Sequence, residues 1–195
     1  MPDGWPHGEA RKKARQRVRV RPAGPTSAHW DRKIRDMLTS ISFMSLAAVK
    51  ELAPDASTAV ISIRDASSSR DMPPFDGFWR VLPVYMLDVA EDHWGFQPGA
   101  WPDEPTVAQH AEYCESPDDL APSLAHARTI ANFLAEVHAD AAALELVVHC
   151  SAGSSRSAAV ASWAAEKFGV PLLDPLGRGI ADANPRVLRL LNRLG

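Results

Sequence analysis

One stretch of the sequence restricts the fold more than any other, LELVVHCSAGSSRSAAVASWAAEKF at 144–168. Its first six residues, 144–149, form a short apolar run of the kind found in buried strands. Residues 157–168 are rich in alanine and are followed by Gly169 and a nearby proline, which commonly end helices. We therefore expect a strand, a loop at 150–156 and a helix in direct succession.

The rest of the chain alternates between strand-like and helix-like patterns. We predict strands at 37–43, 57–63 and 79–87, and helices at 44–53, 123–138 and 185–194. In the longest of these helices, Leu124, Ile130 and Leu134 fall on one face. Residues 88–121 hold four prolines and are expected to be a long irregular segment with a helical turn near 105–114. The alternation indicates an α/β fold with a central, mainly parallel sheet flanked by helices.

Length and charge suggest one domain with a basic extension. A chain of 195 residues with 46% hydrophobic content is large enough to bury a core, and we assign the domain to residues 31–195. Residues 1–30, which we call the basic arm, are predicted to be disordered. Residues 1–21 contain seven Lys or Arg and two acidic residues, which leaves 14 basic and 22 acidic residues in 22–195. Such an arm is suited to nucleic acid, an acidic partner or the acidic surface of its own domain.

The sequence argues against a membrane or secreted protein. No apolar run approaches the length of a membrane span, and the N-terminus lacks the apolar core of a secretory signal. With Cys114 and Cys150 as the only cysteines, a disulfide framework is not expected, so we predict a cytoplasmic protein. The seven histidines show no close ligand pairing, and we predict neither a metal nor another cofactor.

The loop at 150–156 has the composition of an anion-binding site. A loop that leads into a helix N-terminus presents free backbone N–H groups and the positive end of the helix dipole, which together bind phosphate. Small residues let this backbone curl around an anion: Ser151, Ala152, Gly153, Ser154 and Ser155. Arg156 adds a planar fork that matches two phosphate oxygens. A thiol in this position ionises more readily than free cysteine, so Cys150 is a candidate nucleophile for phosphoryl transfer.

This loop resembles the signature loop of the cysteine-dependent tyrosine and dual-specificity phosphatases, His-Cys-x5-Arg-Ser/Thr. His149, Cys150, Arg156 and Ser157 stand at its fixed positions, and HCSAGSSRS is most similar to the bacterial tyrosine-phosphatase-like branch. Weaker similarities to that branch are found in AVISIRD (59–65), VLPVYMLDV (81–89) and NPRVLRLLNRL (184–194). The resemblance covers roughly residues 37–195 and implies the family's α/β fold.

The resemblance also implies a role for each residue of the loop. Cys150 would attack phosphorus and form a cysteinyl-phosphate intermediate. Arg156 and the backbone N–H groups of 151–156 would hold the phosphoryl oxygens through the transition state. Ser157 would donate to the sulfur as it departs, and His149 would order the loop and set the acidity of the thiol. The family uses no metal.

The family also needs a general acid, for which the sequence offers alternatives. Asp88 ends a predicted strand, where the bacterial branch places its acid, and Asp92 lies four residues later. Asp103 lies in WPDEP, which repeats the Trp-Pro-Asp of receptor-type tyrosine phosphatases, but no strand is predicted before it. Asp118 and Asp119 precede the long helix. We favour Asp88, and Asp103 and Asp92 remain alternatives because spacing alone does not separate them.

The charge pattern narrows the substrate. The loop interior carries no lysine or additional arginine, and the domain is acidic, which disfavours nucleic acids and polyphosphorylated substrates. We expect a phosphorylated protein, carrying phosphotyrosine or phosphoserine/threonine, or a small phosphomonoester. The alternative is a phosphate-binding pseudophosphatase or docking module. A third hypothesis is an enzyme that acts on nucleic acid and binds it through the basic arm.

Overall fold

The computed structural model describes residues 38–66, 75–114, 120–140 and 142–195. The basic arm, Asp118 and Asp119 lie outside the described residues. Within them the strands are β1 (Leu38–Ser45), β2 (Thr58–Arg64), β3 (Arg80–Tyr85), β4 (Leu144–Cys150) and β5 (Leu172–Leu173). The helices are α1 (Leu46–Lys50), α2 (Val107–Tyr113), α3 (Leu124–Ala139), α4 (Arg156–Phe168) and α5 (Pro185–Asn192), with a 3-10 helix at Glu91–Trp94.

The five strands form one parallel sheet in the order β3-β2-β4-β1-β5, which confirms the predicted α/β class. The register aligns Ser45 with Cys150, Ser62 with His149, and Arg64 with Tyr85. The carboxyl ends of β1, β2, β3 and β4 therefore meet at one edge, where open α/β sheets place their sites.

The two faces of the sheet are covered unequally. On one face, side chains such as Ile41, Ile61 and Leu146 pack in the main core with residues of α3, α4 and α5. On the other face, a smaller cluster joins Val60 and Val147 to α1 and to two phenylalanines. The alternation of side chains along each strand separates these two sets.

Element boundaries differ from the predictions at particular residues. The predicted helix at 44–53 is shorter because β1 continues to Ser45, whose side chain then accepts from the Ala48 backbone N–H and caps α1. Pro83 is tolerated in β3 because β3 is an edge strand of the sheet. The helical turn predicted near 105–114 is α2, whose N-terminus is capped by Thr106.

The helices in the described ranges are all too short or too polar to cross a membrane.

Candidate functional site

The loop between β4 and α4 is packed closely against the end of β1. Gly153 has a φ of +80°, and a Cβ atom there would lie 2.3 Å from the Ser45 nitrogen and 2.4 Å from the Met44 carbonyl carbon. Only glycine meets both conditions. The Ser151 carbonyl accepts from the Leu46 N–H at 3.3 Å, which fastens the other side of the loop to α1. The loop is therefore held in one curled conformation by the neighbouring strand.

The sulfur of Cys150 lies buried beneath this loop with two hydrogen-bonding neighbours. The Gly153 N–H points at Sγ over 3.2 Å, and the Ser157 hydroxyl oxygen lies 3.2 Å from Sγ. Cys150 and Ser157 are both fully buried. The structure thus brings together the predicted nucleophile and the residue predicted to assist it.

In the part of the chain that the structure describes, no side chain caps the N-terminus of α4. Ser155 occupies the N-cap position, but its hydroxyl donates to Asp88 Oδ1 at 2.6 Å instead of accepting from the helix. A serine at this position usually accepts from a backbone N–H of the first turn. The first N–H groups of α4 are therefore left for an external acceptor, as at helix N-termini that bind anions.

Arg156 is buried and its guanidinium is fixed by the ends of two strands. Nη1 donates to Asp65 Oδ1 and to the Met86 carbonyl, both at 2.6 Å. Nε lies 3.7 Å from Asp88 Oδ2 and has no hydrogen-bond partner among the described residues. The guanidinium group is therefore held in position through Nη1, and its Nε–H is available to donate a hydrogen bond to a ligand. Asp65 is not predicted as a site residue from the sequence, although, like Asp88, it closely follows a predicted strand.

Asp88 is tied to the loop and to the start of α5. Its Oδ1 accepts from Ser155 and, at 2.9 Å, from Nδ2 of Asn184, which also donates to the Val89 carbonyl. The Asn184 side-chain oxygen caps α5 by accepting from the N–H groups of Arg186 and Val187. Asn184 is almost fully buried, and its own N–H donates to the Ser155 carbonyl. Asn184 is not predicted as a site residue from the sequence, because Asn-Pro before a helix indicates only an N-cap.

The two alternative acids have different surroundings. Asp103 accepts from Arg189 Nη1 at 2.7 Å and from Arg193, so it belongs to an ionic cluster on α5. Asp92 is exposed and accepts from the His93 backbone N–H. It lines a cavity of about 220 Å³ together with Asp88. Of the three aspartates, Asp88 is the one in contact with the loop.

The irregular segment is fastened to α5 by a buried arginine. Arg186 donates to Glu91 Oε1 at 2.6 Å and to the Pro102 and Pro122 carbonyls at 2.7 Å, and its guanidinium lies 4.7 Å from the centre of the Trp101 ring. Burial alone would raise the pKa of Glu91, but hydrogen bonds from Arg189 and Arg186 outweigh burial and lower it. This cluster holds the segment after Asp88 against the helix that Asn184 caps.

His149 lies on the sheet face opposite Cys150, beside Phe75, with ring centres 5.8 Å apart. Burial and, to a smaller extent, the positive charge of Arg64 lower the pKa of His149 to about 4, and the Cys150 backbone partly opposes this shift. Neither ring nitrogen has a hydrogen-bond partner of good geometry among the described residues. The imidazole is therefore neutral at physiological pH, and none of the loop contacts described above involves it.

In the described ranges, no three His, Cys, Asp or Glu side chains are arranged to hold a metal ion.

We compared the chain with known proteins at three levels. It matches no protein-family model, and neither the curated proteins nor the solved structures contain a match. Its function is therefore inferred from the loop and the contacts around it.

Proposed function

We propose that this chain is a metal-independent cysteine phosphatase of the tyrosine and dual-specificity type. It hydrolyses phosphomonoesters of protein side chains through a cysteinyl-phosphate intermediate. One observation carries the proposal: the Cys150 sulfur, the uncapped N-terminus of α4 and the fixed guanidinium of Arg156 belong to one loop, with Asp88 placed against it. Each part matches a requirement of phosphoryl transfer through a thiolate.

Binding depends on donors that are oriented before the substrate arrives. In this proposal the loop N–H groups and Arg156 donate to the phosphoryl oxygens of a substrate bound at the Cys150 sulfur. Asp65 and the Met86 carbonyl fix the guanidinium, so little conformational freedom is lost when phosphate replaces solvent. A charge-assisted bond from Arg156 Nε to a phosphoryl oxygen would also satisfy a nitrogen that has no hydrogen-bond acceptor among the described residues.

In the first chemical step the sulfur forms a bond to phosphorus as the bond to the leaving oxygen breaks. The leaving oxygen takes a proton from Asp88. Because Oδ1 already accepts from Ser155 and Asn184, the proton is carried on Oδ2, the oxygen nearer Arg156. Asp88 leaves this step as a carboxylate, ready to act as a base.

In the second step water attacks phosphorus and the sulfur–phosphorus bond breaks. Asp88 accepts a proton from that water, which restores its acid form. The departing sulfur regains its negative charge next to the Gly153 N–H and the Ser157 hydroxyl, both placed to donate to it. Inorganic phosphate and the starting enzyme are the products.

A phosphate-binding module without turnover is the second candidate. It is favoured by the complete burial of Cys150 and by the engagement of Asp88 with Ser155 and Asn184. A carboxylate held in this way would serve as part of a rigid binding site and not as a proton donor.

Comparison of the wild type with Cys150→Ser in the hydrolysis of p-nitrophenyl phosphate and of phosphopeptides distinguishes the two candidate functions. We expect the wild type to turn over and Cys150→Ser to lose at least about 10³-fold in kcat, because a serine hydroxyl there has no activating base. Cys114→Ser is the matched control and should retain activity. Activity that survives Cys150→Ser would refute the phosphatase. A wild type that binds phosphopeptide without hydrolysis would establish the binding module.

A further inference from the structure

The sheet face opposite the long helices carries an open groove of about 770 Å³. It crosses β1, β4 and β5 and is lined by apolar side chains that include Met44, Val147 and Leu173. Leu173 is 48% exposed, and α1, with five residues, is the helix that packs in the cluster on this face. Parallel sheets are ordinarily covered on both faces, so this face lacks a layer among the described residues.

The groove is also acidic. Asp55, Glu145 and Asp174 line it, and no lysine or arginine among the described residues does so. Backbone hydrogen bonds from Ser57 and Gly179 lower the pKa values of Asp55 and Asp174, respectively, so both carboxylates are charged at neutral pH. A ligand for this surface needs an apolar side to cover the strands and basic groups for the carboxylates.

The chain segment that precedes β1 has both properties. Residues 1–37 contain ten Lys or Arg and four acidic residues, a net charge of +6. Trp30, Ile34 and Met37 are spaced as one face of a helix. Between them lie Arg32, Lys33 and Arg35 together with Asp31 and Asp36, so residues 30–37 themselves have a net charge of +1. We propose that residues 30–37 lie across this groove and supply the missing layer of the sheet.

Connectivity and reach support this occupant. The segment is joined to β1 at Leu38. The register pairs Ser40 with Glu145 and Ser42 with Leu173, so β1 is itself one of the strands that form the groove. Eight helical residues span about 12 Å, which is close to the width of three neighbouring strands at about 4.8 Å spacing. Because the segment is covalently connected to β1, its effective concentration at the groove is high. A separate partner molecule would have to compete with this segment for the same surface.

Hydrogen–deuterium exchange of the full-length chain, read by mass spectrometry, tests this contact. We expect the amides of 31–37 to exchange at least about tenfold more slowly than an unstructured segment in the wild type. Glu145→Lys with Leu173→Lys should abolish this protection. Glu166→Lys, an exposed charge on α4 and away from the groove, is the matched control and should leave the protection unchanged.

A second pair of variants changes none of the described residues that line the groove. Ile34→Glu should release the segment and speed exchange at Ser42 and Leu173, whereas Ile34→Leu should keep both protected. Unprotected 31–37 amides in the wild type would overturn the proposal. Protection that disappears on dilution, together with a dimer in light scattering, would also overturn it, because the occupant would then be a second copy.

Discussion

At the scale of single residues, the loop at 150–156 is completed by contacts with Asp65 and Asp88, and Asn184 in turn holds Asp88. The loop pattern indicated Cys150, Arg156 and Ser157 directly, because their spacing is local. Asp65 and Asn184 were missed because they meet the site through contacts across 91 and 96 residues of sequence. The surroundings of Asp103 in the WPD motif could not be predicted for the same reason, because its ion pairs with Arg189 and Arg193 depend on tertiary structure.

Asp88→Asn tests the assignment of the acid. We expect kcat on phenyl phosphate to fall about 10²–10⁴-fold, the usual contribution of a general acid. The loss on p-nitrophenyl phosphate should be smaller, since p-nitrophenolate departs with little need of a proton. Removal of the acid should also remove the basic limb of the pH–rate profile.

Asp103→Asn is the control for Asp88→Asn. We expect it to lower the stability of the protein through the loss of its ion pairs, and to leave the ratio of kcat on phenyl phosphate to kcat on p-nitrophenyl phosphate unchanged. If Asp103→Asn, and not Asp88→Asn, shows the selective loss on phenyl phosphate, the acid has been assigned to the wrong aspartate.

At the scale of secondary structure, most elements follow from local pattern and the exceptions have physical causes. The β-branched run at 57–63 and the amphipathic pattern at 123–138 match β2 and α3 closely. The two-residue β5 was not predicted, because its strand conformation depends on pairing with β1. The start of α5 serves two purposes, since Asn184 both caps the helix and donates to Asp88.

Asn184 variants separate these two purposes. Asn184→Asp keeps an N-cap side chain but removes the donor and places a negative charge beside Asp88. We expect the basic limb of the pH–rate profile to move to higher pH, because that charge disfavours ionisation of its neighbour. Asn184→Ser also keeps a cap but adds no charge, so its basic limb should not move upward. Identical profiles for Asn184→Asp and wild type would show that Asn184 acts on the helix alone.

At the scale of the whole molecule, a buried ionic cluster joins the irregular segment to the rest of the domain. Glu91 and Arg186 are both almost fully buried. The arginines lower the pKa of Glu91 in the folded protein below its ordinary 4.5. The pair therefore contributes its full stability above that value and loses it as the pH falls through the lower folded pKa.

Glu91→Gln should reduce the free energy of unfolding at pH 7 by about 3 kcal/mol, because it leaves a buried arginine without its counter-charge. The difference from wild type should begin to shrink as the pH falls below 4.5 and should be lost as it falls through the lower folded pKa, where Glu91 of the folded wild type becomes protonated. Urea unfolding at a series of pH values measures both the loss of stability at pH 7 and its dependence on pH. Glu104→Gln, in an exposed pair with Arg128, is the control and should change stability by about 0–1 kcal/mol. A pH-independent difference for Glu91→Gln would contradict the ionised pair.

The central claim is that phosphate is transferred to Cys150, and acid-quenched mass spectrometry during turnover tests it most directly. We expect a phosphoryl group on the peptide that contains Cys150, and more of it in Ser157→Ala, because the hydroxyl that stabilises the departing sulfur is lost. Turnover with no phosphate on Cys150, or with phosphate on another residue, would contradict the mechanism.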